Sequence, residues 1–146
     1  MNPRLTQAII GGLAATIIMT LMMYFVAPMM MGGPMDIAAM LGDMMGTNDT
    51  VGMIVHFMLG AVAFPALFAL VLWDKLPGAD WMKGLVFGMA LFVIAEVVVM
   101  PMTDAGMFSA NHPEQMMALL GGLMGHAIYG IVLGWWCGRG VAGDAI

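Results

Sequence analysis

Residues 52–60 read Gly52-Met53-Ile54-Val55-His56-Phe57-Met58-Leu59-Gly60, and residues 122–130 read Gly122-Leu123-Met124-Gly125-His126-Ala127-Ile128-Tyr129-Gly130. Each sets a histidine between glycines four residues before and four after, inside a long apolar run. Four-residue steps put all three on one face of a helix. Glycine on that face lets a neighbouring helix, or a flat ligand, come close to the backbone.

The surrounding composition places those runs in lipid. The chain has 146 residues, of which 62% are hydrophobic and 9% charged, against about a quarter charged in soluble domains. Four apolar stretches, at about 7–31, 51–73, 82–102 and 114–137, each approach the ~20 residues a helix needs to span a bilayer. The expectation is an all-α membrane protein: a single transmembrane domain over 1–146, built as a four-helix bundle. The first apolar run is longer than the 7–15 residues of a signal-peptide core, so it reads as a retained helix. With one cysteine, Cys137, no internal disulfide can form.

Charge gives the orientation. Arg4, Lys75, Lys83 and Arg139 fall before the first span, between the second and third, and after the fourth, which four spans place on one side. The positive-inside rule makes that side cytoplasmic, so a bacterial inner membrane with both termini in the cytoplasm is expected. Trp73, Trp81, Trp135 and Trp136 fall at the same interface, as an aromatic belt would. Asp36, Asp43, Asp49, Asp104, His112 and Glu114 lie on the far side, an acidic face that argues against nucleic acid. The formal charge of −5 by itself says nothing about nucleic acid.

Small or polar residues at four-residue steps mark one face of each span: Ala8, Gly12, Thr16, Thr20 and Tyr24 in the first; Gly84, Gly88, Phe92, Glu96 and Met100 in the third; Ala118, Gly122, His126, Gly130 and Gly134 in the fourth. Such faces are where helices meet in lipid, so Thr20, His56, Glu96 and His126 are expected inside and the large aliphatics outside. The first loop opens with Gly32-Gly33-Pro34. Ile37, Met40, Leu41, Met44 and Met45 then recur at helical spacing, predicting a short amphipathic helix on the outer side. Asn48 or Asp49 is the candidate N-cap of the second span, Pro65 is expected to kink it, and Pro113 to start the fourth at its first position. Val26-Ala27-Pro28-Met29 and Val99-Met100-Pro101-Met102 close the first and third spans alike, and a glycine-flanked histidine follows each at similar distance. The halves therefore read as two tandem two-helix repeats about an axis along the membrane normal.

Three constellations could carry chemistry. His56 and His126, from helices running the same way, could hold a b-type haem, with Gly52, Gly60, Gly122 and Gly130 making room for the ring. Counted from the ends of their apolar runs, however, the two differ in depth by up to roughly 10 Å at 1.5 Å per residue. Most of the 21 methionines crowd the outer half. Thioethers with imidazole suit Cu(I), so His56, His126, Glu96, His112, Met100 and Met102 form a candidate metal set. Against this stand methionine as adaptable packing and histidine as a satisfied core residue. Glu96 could also pair with His56 in a proton relay, or only fix helix register. No phosphate-binding loop, nucleophile elbow or HExxH pattern is present, and no enzyme is expected.

Pro34-Met35-Asp36-Ile37-Ala38, Val55-His56-Phe57, Val99-Met100-Pro101-Met102 and Gly125-His126-Ala127-Ile128-Tyr129-Gly130 resemble an uncharacterised family of small bacterial four-span inner-membrane proteins. That resemblance implies fold and location only. The histidine–glycine spacing is also similar to the four-helix core of b-type cytochromes, where histidines of the second and fourth helices ligate haem. The functional expectation is a small accessory subunit of a larger membrane redox complex, docking to other subunits or to itself, with a histidine site for haem b, copper or no cofactor at all. The rival expectation is an oligomeric transporter or channel for a metal ion or proton.

Overall fold

The computed structural model describes residues 2–33 and 35–143; Pro34 of the first loop lies outside them. Among these residues four helices are long and apolar enough to cross a membrane, making this an all-helical membrane protein: α1 (Pro3–Met30), α3 (Asp49–Leu72), α4 (Asp80–Met102) and α5 (Gln115–Gly143). The short α2 (Ile37–Met44) lies between the first two. Helix α1 starts four residues before its expected bound and α5 runs six past its own, and α2 is the expected amphipathic helix. It buries Ile37, Ala38, Leu41 and Gly42 and caps the bundle against the start of α3.

Asn2 caps α1 through Arg4 N–H, Asp36 caps α2 through Ala39 N–H, and Asn48 caps α3 through Val51 N–H. Helix α5 starts at Gln115, two residues after Pro113, which sits in the preceding turn. His112 Nδ1 accepts the Glu114 N–H there at 3.0 Å.

Glycine sets the packing. On α4 and α5 an added Cβ at Gly84 would land on the Gly130 carbonyl, at Gly88 on the His126 carbonyl, and at Gly134 on the Asp80 carbonyl. The two backbones are thus in direct contact along the small faces. Gly11 admits Trp136, and Gly12 admits Pro65 and the Gly60 carbonyl, so α1 lies between α3 and α5. The bundle core is filled by Phe68, Phe87, Leu91, Tyr129 and Leu133, all buried, with Phe68 and Phe87 stacked at 5.1 Å. Ile10, Leu13, Ile17, Leu21 and Phe25 on α1 face outward, as expected of lipid-facing aliphatics.

The four basic residues gather at one end of the bundle. Arg4 bridges Asp74 at 2.8 Å, Lys83 lies 4.5 Å over the Trp73 ring, and Arg139 lies 3.7 Å over Trp135. Trp73 departs from the belt reading, because it is buried against Phe68 rather than turned to the interface.

Prolines shape three of the spans. In three spans a five-residue π-helical turn ends two residues before a proline: Met22–Val26 before Pro28, Leu59–Ala63 before Pro65, and Ala95–Val99 before Pro101. In each, the N–H just before the proline bonds five residues back: Ala27 to Met22 O, Phe64 to Leu59 O, Met100 to Ala95 O. Proline has no N–H to continue the series, so the next carbonyl loses its helical donor. Met23 O takes the Met35 N–H instead (3.1 Å), and Gly60 O takes the Tyr129 hydroxyl (2.7 Å). Pro65, expected to kink α3, follows this widened turn, and α-helix resumes at Phe64.

Candidate functional site

All three proline-linked π-turns border one cavity of about 190 Å³ in the half of the bundle away from the basic end. Turns of this kind are frequent at functional sites. Its wall is largely apolar and rich in methionine, with Met19, Met23, Met35, Met100 and Met124 among the lining residues. The polar groups on the wall are Thr16, His56, Glu96, Ser109, His126 and Tyr129.

Both histidines reach it, and the ties nearby fix their relative depth. Tyr129 lies about one turn inward of His126, and Gly60 one turn inward of His56. The hydrogen bond between Tyr129 and Gly60 (2.7 Å) therefore holds the parallel helices α3 and α5 in register at the histidines. The depth offset counted from the apolar runs does not separate them.

Hydrogen bonds determine the tautomers. Thr20 has a single hydroxyl proton and donates it to Thr16 O (2.7 Å). His56 Nε2, 3.0 Å from that hydroxyl, must then be the N–H that donates to it, leaving Nδ1 as the bare nitrogen. His126 Nδ1 lies 2.8 Å from the Gly122 carbonyl, which can only accept, so Nδ1 carries the proton and Nε2 the lone pair. Phe92 holds the His126 ring edge-on at 5.9 Å between centroids.

Glu96 is buried, and its Oε2 accepts the Ser109 hydroxyl at 3.1 Å. Sequence reasoning missed Ser109, which arrives from the loop between α4 and α5 through two successive residues with left-handed backbone, Phe108 (φ 52°) and Ser109 (φ 51°). Positive φ is uncommon outside glycine, and here it turns the serine inward. No spacing in the chain signals that.

The candidate residues divide. His56, His126, Glu96, Met100, Gly60 and Gly122 border the cavity; Gly52, Gly130, His112 and Met102 do not. Gly52 is filled by the Ala38 carbonyl of α2 and Gly130 by the Gly84 carbonyl of α4, so two of the four flanking glycines serve helix contact and make no room for a ligand. His112 is taken up by the Glu114 N–H. Met102 is exposed and borders a separate outer hollow with Asp43 and Asp104. Among the described residues no three of His, Cys, Asp and Glu group as a metal cluster.

The chain belongs to DUF6789, a family of unknown function, which residues 3–142 match. No curated protein and no solved structure matches it, so the likeness to b-type cytochromes finds no support. The resemblance to an uncharacterised family stands.

Proposed function

We propose that this protein is a non-enzymatic accessory protein of the bacterial inner membrane, with both termini cytoplasmic, and that its outer-half cavity binds a small ring compound dissolved in the bilayer. The observation that carries this reading is the cavity itself: about 190 Å³, apolar and methionine-walled, with two oriented imidazoles on its surface. Apolar pockets with a few converging polar groups are the usual form of a small-molecule site. The basic cluster at one end of the bundle supports the orientation. The packed rings of Phe68 and Phe87 close the inner half, which favours a binding or docking role over conduction.

A second reading is favoured by one observation. Metal-ligating histidines donate their second N–H to a protein acceptor, and both histidines do so here, with thioethers nearby that suit Cu(I). The test is titration of the purified protein in detergent with toluene and, separately, with Cu(I) held in a competing chelator. Toluene should raise the thermal midpoint, and Gly121→Leu, at a cavity-lining position where an added Cβ meets nothing, should abolish the effect. Stoichiometric Cu(I) binding with no toluene response would move the assignment to the metal.

A further inference from the structure

The two tautomers make a chemical demand on the occupant. His126 Nδ1–H is committed to the Gly122 carbonyl (2.8 Å), and His56 Nε2–H to a hydroxyl whose own proton is committed to Thr16 O. Neither ring can turn its N–H to the cavity without leaving its acceptor. No buried side-chain nitrogen or oxygen among the described residues lacks a partner. His126 Nε2, which makes no hydrogen bond, must therefore open onto free space, and His126 lines the cavity. The imidazoles offer lone pairs and no protons.

We propose that the cavity selects a hydroxylated aromatic ring, a phenol or hydroquinone, over the same ring lacking a donor, with the ring hydroxyl donating to His126 Nε2. This rests on the cavity reading above and deepens it. The volume fits one six-membered ring, since about 150 Å³ already accommodates benzene. The methionine wall suits an aromatic face, because thioether sulfur makes favourable contacts with rings. A ring hydroxyl there leaves neither its own proton nor His126 Nε2 unpaired. A ring with a fluorine or carbonyl at that position would set lone pair against lone pair between largely apolar walls, where unpaired polar groups are costly. His56 Nδ1 is a second acceptor, so a ring with two hydroxyls could satisfy both imidazoles.

The experiment compares p-cresol with 4-fluorotoluene, near-isosteres differing by the donor. Each is titrated into the full-length protein in detergent and corrected for partition into empty micelles, with ¹⁵N-histidine spectra recorded alongside. p-Cresol should bind at least about tenfold tighter and shift the His126 Nε2 resonance. His126→Phe should bring the two ligands to within about twofold. If both bind wild type equally, donor selection is overturned and the cavity reading survives. If neither binds, both fall. Tight p-cresol binding that leaves the His126 nitrogen unmoved overturns the assignment of the acceptor, and this spectrum does not depend on any variant folding.

Discussion

A hydroxyl on one helix replaces an N–H missing from another where Tyr129 donates to Gly60 O, the carbonyl that Pro65 deprives of its helical partner. Because the bond answers a specific vacancy, its energy should depend on that vacancy. Tyr129→Phe is expected to lower stability by about 1–3 kcal/mol, the cost of leaving a buried acceptor unpaired. In a Pro65→Ala background the restored N–H gives Gly60 O another donor, so the same change should cost clearly less. A double-mutant cycle of thermal or denaturant unfolding in detergent reads that coupling; additive costs would refute the pairing. The same scale governs Thr20. Thr20→Val keeps the shape but removes the hydroxyl that holds His56. The expected loss is about 1–3 kcal/mol, together with a change in the His56 ¹⁵N tautomer signature.

At the scale of elements, glycines of identical appearance have different neighbours. Gly84 on α4 has the Gly130 carbonyl where a Cβ would go, while Gly121 on α5 has open space. Gly84→Ala should therefore force α4 and α5 apart at about 1–3 kcal/mol. Gly121→Ala should be neutral, or stabilising by up to about 1 kcal/mol through helix propensity. Thermal unfolding of the two variants side by side checks this. Helix α2 has its own hold on the bundle. Asp36 accepts the Ala39 N–H (3.1 Å) and the Tyr24 hydroxyl (2.8 Å), and these bonds, the backbone one foremost, hold its carboxyl below the usual carboxylate range. A depressed acid pKa stabilises above the unfolded value and loses that contribution as pH falls through the folded one. Docking of α2 should thus be complete at neutral pH and weaken below about pH 4. Faster amide exchange confined to residues 37–44 would report it, and Asp36→Asn should flatten the pH dependence.

For the whole molecule, the contrast between its two ends supports a fixed orientation. Arg4, Asp74, Lys83 and Arg139 cluster at one end, while the other carries α2 and the loop of Asp104 and His112. Cys137 is fully buried and provides little labelling background. With the proposed topology, cysteine at Asn111 should react with a membrane-impermeant maleimide in intact cells. Cysteine at Gly78, in the turn between α3 and α4, should react only after lysis. The reverse pattern would invert the protein and place the cavity in the inner leaflet.

Much of this architecture was legible in the chain. Spans, the amphipathic helix of the first loop, the cap at Asn48, and the inward faces of α1, α4 and α5 follow from local rules: apolar length, 3.6-residue periodicity, and the need of helix ends for acceptors. The gathering of His56, His126 and Glu96 followed from their shared faces. What the chain alone left open was which neighbour each small residue meets. Gly52 and Gly130 sit at the same four-residue step from a histidine as Gly60 and Gly122, yet close on α2 and α4 instead of bordering the cavity. Depth was equally undetermined, because apolar run length does not set register, whereas one hydrogen bond from Tyr129 to Gly60 does. Ser109 reaches Glu96 only through a left-handed turn of the loop. The local sequence determined the elements and their faces; the tertiary structure decided the site, because a cavity is the volume that neighbouring helices leave unfilled and no single helix encodes it.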